Sequence, residues 1–162
     1  MRGQIQQMFI FLAAVLVIGA TIFLGMRLIG GLTPASCKAH DVEFQREIKD
    51  VFDENSAFGS RNSVELSKPC DAVALCFVDV GAIGNASFVS SDPTIRTVVQ
   101  GGSMTNVFLQ GRDGTTPVGF DERIILRDPG ALRNLTDLCV PAVGGKFTFT
   151  TIGHGRYIGI RS

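Results

Sequence analysis

This sequence predicts an α+β protein: an N-terminal transmembrane helix and an amphipathic stem helix, followed by a mostly antiparallel β-sheet domain. Three observations carry that expectation. Met8 to Met26 is a run of 19 residues without a charge. Phe44, Ile48, Val51 and Phe52 follow the i, i+4, i+7, i+8 spacing of one helix face. Beyond Asn62 the apolar period changes from 3.6 to 2, in short β-branched and Phe-rich runs punctuated by glycine, of which the chain has 19.

The uncharged run spans about 28 Å as a helix, close to the ~30 Å hydrocarbon core of a bilayer. A helix is also the one open segment that satisfies its own backbone in lipid. Leu28, Ile29 and Leu32 extend the apolar stretch, because Arg27 can snorkel to the interface. Membrane contact is therefore expected over Met8–Leu28. A cleaved secretory signal is the alternative; it expects a shorter apolar region and a small-x-small site, for which Ala35-Ser36 is the candidate. Gly30-Gly31 reads as the loosened end of the span, and Thr33-Pro34 as a restart with Thr33 capping and Pro34 in the first turn. The expected division is 1–32 as signal and anchor, 33–55 as stem helix and 56–162 as an extracytoplasmic β-rich domain. The stem's apolar stripe is expected to pack on its own β-domain, with a neighbouring subunit as the alternative.

The later elements follow in order. Ser63–Ser67 reads as a short strand. Ala72–Val80 is nearly all apolar, as a strand covered on both faces must be. Ser87–Ser90 reads as another short strand. Asp92-Pro93 reads as a cap plus a first-turn proline, opening a helix over Pro93–Gln100. Asn106–Gln110 and Gly119–Leu126 read as strands flanking the turn-rich Gly111–Pro117, and Asp128-Pro-Gly130 as a turn. Lys146–Ile152 and Arg156–Arg161 read as a terminal hairpin around Gly153-His154-Gly155, with Phe147 and Phe149 on one face.

Composition narrows the function classes. Of the 162 residues 45% are hydrophobic and 19% charged, which excludes a disordered chain. Fifteen basic residues balance fifteen acidic ones, so there is no electrostatic case for nucleic acid. The two histidines, His40 and His154, lie apart from the cysteines in sequence, so neither a metal site nor a cofactor is expected. Gly144-Gly145-Lys146 lacks the spacing of a phosphate-binding loop. No catalytic residue is assigned.

Cys37, Cys70, Cys76 and Cys139 permit three pairings. Cys70 and Cys76 are separated along an extended strand, beyond disulfide reach. The expected bonds are Cys76–Cys139 within the sheet and Cys37–Cys70 between stem and sheet, the alternative being reduced core cysteines. The positive charges flanking the span nearly tie, and four cysteines favour an oxidising compartment, so residues 33–162 are placed outside. Asn85-Ala86-Ser87 and Asn134-Leu135-Thr136 are glycosylation sequons.

Arg2-Gly3-Gln4-Ile5, directly before the apolar helix, resembles the class III signal of archaeal type IV pilin-like proteins. That resemblance implies cleavage by a prepilin-type peptidase between Gly3 and Gln4, with Arg2 as the preceding charge and the helix retained. Many members have Glu five residues into the mature chain; Met8 stands there in this one. The pattern including Cys76-Phe77-Val78-Asp79 also resembles small uncharacterised membrane-anchored archaeal proteins. A fainter likeness, Leu135 to Cys139 with Arg156, is similar to sortases, but Leu138 replaces the family's Thr before Cys139 and the only upstream histidine is His40. The expectation is a non-enzymatic, single-pass protein of the cell membrane, with self-association or other surface subunits as its partners. A membrane-anchored enzyme or ligand-binding domain is the alternative.

Overall fold

The structure, a computed structural model, describes the backbone of residues 2–126 and 135–162, and side chains within 10–27, 40–126 and 135–162. It forms two compact units, Met1–Ala39 and His40–Ser162.

The first unit is helical. Helix α1 is assigned over Arg2–Glu54, so its last fifteen residues belong to the second unit. The backbone stays helical through Gly30-Gly31 and Thr33-Pro34, where a break and restart were expected. Cooperativity explains the difference. A proline removes one backbone bond, whereas a restart needs a second costly nucleus and leaves orphan groups at two new ends. Within Ile10–Arg27 none of the window is buried. The Thr21 hydroxyl donates to the Val17 and Ile18 carbonyls at 2.6 and 3.0 Å, so its polar group is satisfied inside the helix. The Arg27 guanidinium lies 5.7 Å from the centroid of the Phe23 ring.

The second unit is built on two sheets. Strands β1 (Arg61–Ser67), β7 (Lys146–Gly153), β8 (Ile158–Arg161) and β5 (Ile124–Ile125) form one in the order β1-β7-β8-β5. Strands β4 (Thr115–Gly119), β3 (Val107–Gly111), β2 (Ala72–Val78) and β6 (Asp137–Pro141) form the other in the order β4-β3-β2-β6. All pairings are antiparallel except β5 with β8.

Phe44, Ile48 and Phe52 of α1 are 2–4% exposed and share one core with Leu75 and Phe77 of β2 and with Phe147 and Phe149 of β7. Edge-on ring contacts run Phe52–Phe77–Phe149 at 6.2 and 5.2 Å, so a single aromatic line joins the helix to both sheets. The stripe therefore packs on its own β-domain, as its periodicity predicts. The opposite face of β2 carries Ala74, Cys76 and Val78. These pack with Phe108 and with Ile95 and Val99 of helix α2 (Pro93–Gln100). Strand β2 is thus covered on both sides, with Val73 its one exposed residue.

Several elements differ from expectation. Ser87–Ser90 is loop; it has no ladder partner, and the Gln100 amide holds it by donating to the Ala86 and Phe88 carbonyls. Thr115–Pro117, read as part of a turn, belongs to strand β4, which runs Thr115–Gly119. Its Pro117 is tolerable because β4 lies at a sheet edge, where a missing N–H breaks few ladder bonds. Of Gly119–Leu126, Gly119 ends β4 opposite Val107 and only Ile124–Ile125 forms a further strand. Strand β6 was not anticipated as an element. Asp128-Pro-Gly130 lies outside the described residues. Gly153 is less a turn residue than a point of close approach. A Cβ there would meet the Ala57 carbonyl oxygen at 2.0 Å and the Asn55 carbonyl oxygen at 2.6 Å.

Candidate functional site

Two kinds of surface are open to function: the apolar helix of the first unit, and the polar clusters and grooves of the second.

On the first, Ile10, Phe11, Leu16 and Phe23 are 62–74% exposed. Among the described residues this is one helix long and apolar enough to cross a membrane. Arg2, Gly3 and Gln4, assigned to signal processing, lie in helical backbone, and their side chains are outside the described set.

On the second, the most developed charge cluster joins residues 70 apart in sequence. Arg123 donates through Nε and Nη2 to the two oxygens of Asp121, at 2.9 and 2.6 Å, and through Nη2 to Asp53 of α1 at 2.7 Å. Asn106, fully buried, exchanges two hydrogen bonds with the Asp121 backbone, which fixes the carboxylate's position. Burial pushes the Asp121 carboxyl up, but the bonds and charge of Arg123 outweigh this and hold it below the usual carboxylate range. The same hydrogen bonds raise the Arg123 guanidinium further above its ordinary value. This cluster clamps the end of α1 to the loop before β5.

Asp92 is the second cluster. One oxygen caps α2 by accepting from the Thr94 and Ile95 amides at 2.8 and 3.2 Å. The other accepts from Gln110 Nε2 at 3.0 Å and from the Thr115 hydroxyl, pinning α2 to β3 and β4. Burial raises its carboxyl, and the bonds from Thr115, the Ile95 and Thr94 amides and Gln110 lower it further than that. Asp92-Pro93 announces the cap in the sequence; the partners of the second oxygen carry no local signal. The Asp121-Glu122-Arg123 triplet likewise gives no hint of Asp53.

Two grooves border α1 in this unit. One, about 830 Å³, is lined by His40, Glu43, Glu47, Glu54 and Lys68 among others. The other, about 410 Å³, is more apolar and includes Val42, Val118 and Phe120. No group of three or more metal-ligating side chains occurs among the described residues. No buried side-chain nitrogen or oxygen among them lacks a hydrogen-bond partner. His154, between β7 and β8, is half-buried, its ring lying 3.4 Å from where a Cβ at Gly159 would sit.

Cys76 and Cys139 face each other in the β2–β6 register, with Cα atoms 4.0 Å apart, and form a disulfide. This agrees with the pairing expected from sequence. It also occupies the thiol on which the sortase-like reading depends. Cys70 is not a free thiol, while the side chain of Cys37 lies outside the described residues, so the second expected bond falls there too. Asn85 is exposed on a turn, and Asn134 lies outside the described residues. The chain matches no known family model, and neither the curated proteins nor the solved structures contain a match to it.

Proposed function

We propose that this chain is a non-enzymatic, single-pass membrane protein whose second unit stands outside the cell, as a pilin-like structural or surface-interaction subunit. The carrying observation is the Ile10–Arg27 helix: apolar all round, with none of its window buried. Left in water, such a surface drives aggregation; lipid or the apolar helices of neighbouring subunits are the coverings that remove it. The Cys76–Cys139 bond supports an oxidising compartment.

Processing between Gly3 and Gln4 would create a positive α-amine. No Asp or Glu precedes Asp41, so nothing in the same stretch of a neighbouring copy neutralises that amine. Helix packing in any assembly must then keep the amine at the interface. Terminal sequencing of the membrane-extracted protein tests the reading. A chain beginning at Gln4, with the span retained, is the expected result. A start at Met1 or Arg2 leaves an ordinary anchor, and a start near Ala35 or Ser36 means a released secretory protein.

A further inference from the structure

We infer that Asn85 is an N-glycosylation site, the acceptor of an oligosaccharide delivered on a lipid phosphate; this rests on the extracytoplasmic placement proposed above. The sequence supplies the Asn-Ala-Ser triplet, and the fold supplies its presentation. Gly84, Asn85, Ala86 and Ser87 are four consecutive exposed residues between buried Ala82 and Phe88. The turn is built from local bonds. The Asn85 amide donates to the Ala82 carbonyl at 3.1 Å, and the Phe88 amide to the Asn85 carbonyl at 3.0 Å. Gly84 has φ +75°, the left-handed conformation that favours glycine, and its amide donates to the Val99 carbonyl at 2.8 Å.

The side chains are equally specific. Asn85 Oδ1 accepts from the Ser87 amide at 2.9 Å, closing an Asx turn. That contact uses the carbonyl oxygen alone. Neither Asn85 Nδ2 nor the Ser87 hydroxyl makes a hydrogen bond within the described residues, so the nucleophilic nitrogen and the hydroxyl that defines the sequon both stand open to a transferase. In the transfer, the bond from Asn85 Nδ2 to the sugar C1 forms as the bond from C1 to the phosphate oxygen breaks. The electron pair leaves with the lipid phosphate, and the amide proton passes to the transferase's base.

The position also gives the modification a purpose. Gly84 approaches Gly102, and the segments that follow each carry an exposed apolar side chain, Val89 at 74% and Met104 at 73%. A hydrophilic glycan rooted at Asn85 would cover apolar surface that the chain itself leaves open.

The test is peptide mapping of the full-length protein from its native membranes after reduction. Tryptic peptide 62–96, in which the Lys68–Pro69 bond stays uncut, holds Asn85, and peptide 134–146 holds the other sequon, so the two are read apart. A sugar mass on peptide 62–96 is expected, lost completely in Asn85→Gln and Ser87→Ala and retained in Ser87→Thr. Both positions are exposed, and unchanged protease resistance of the second unit in each variant confirms that it folds. An unmodified peptide 62–96 together with an intact Cys76–Cys139 bond and protease accessibility from outside overturns the site while leaving the topology standing. A second unit protected inside, with reduced cysteines, overturns both.

Discussion

Ile10–Arg27 and His40–Glu54 are both α-helical and both carry large apolar side chains, yet they meet opposite fates within the chain. In the first, Phe11 is 74% exposed and Leu16 65%, and no residue of the window is buried. In the second, Phe44, Ile48 and Phe52 fall to 2–4%, while Asp41, Glu43, Arg46, Glu47 and Lys49 remain in solvent. The difference lies in angular distribution more than in amount. Apolar residues on one stripe can be covered by a single sheet sandwich; apolar residues on every face require a surrounding medium.

Matched substitutions break or sharpen that contrast. Ile48→Asp has the largest expected effect, since an unpaired carboxylate among Phe44, Phe52 and the two sheets costs several kcal/mol, comparable with the stability of a whole domain. Protease resistance of the second unit in the full-length chain should be lost, and Phe77→Asp on β2 should reproduce the result. Retained resistance in either would mean that the stripe is not the core.

Replacing both Cys76 and Cys139 by serine comes next. The bond closes a loop across a separation of 63 residues, for which loop-closure entropy gives about 4 kcal/mol. Denaturant unfolding of the variant should show a lower midpoint with the same fold at zero denaturant.

Ile18→Asp asks the same question of the first helix. Within the second unit nothing should change. Membrane insertion should weaken by about 3 kcal/mol, the cost of an aspartate at the centre of a span. Carbonate extraction of membranes reads the shift as protein moving from pellet to supernatant; an unmoved chain would remove the membrane from the account.

Asp121 gives the smallest effect and a sign that can be checked. Its folded carboxyl is held below the usual range, near 4 when unfolded, so its stabilisation is present above that value and is lost as pH falls through the folded one. Stability of the wild type should therefore drop more steeply below about pH 4 than that of Asp121→Asn, which starts lower at neutral pH and titrates less. Parallel acid limbs would show that the Arg123 clamp contributes nothing. Asp92, also held low, remains in both proteins and cancels in the difference.

Local patterns were legible in the sequence, and distant ones only where chemistry constrained them. The helical period of Phe44, Ile48 and Phe52, the apolar run of β2 and the Asp92-Pro93 start each depend on neighbours within a turn or two, and the fold keeps them. Strand β4 was hidden because Thr-Thr-Pro-Val-Gly reads as punctuation; only its place at a sheet edge makes the proline harmless. The division into two sheets was not legible, since it depends on which of eight strands pair across the chain. Cys76–Cys139 was within reach because covalent distance removes Cys70–Cys76 and leaves two pairing schemes, of which the structure holds this bond. The Asp53–Arg123–Asp121 clamp could not, because surface charges of this composition offer many equivalent pairings.

The cross-strand bond makes part of this chain a ring. Between Cys76 and Cys139 lie α2, β3, β4 and β5, while β1, β7 and β8 lie on the two open arms. In the β1-β7-β8-β5 sheet, ring meets arm only along the short β5–β8 ladder. A protease that cuts anywhere between the two cysteines therefore opens the ring without dividing the molecule. The nicked protein would run as one band until a reductant is added, and its two arms would keep the outer surface assembled after the backbone has been severed.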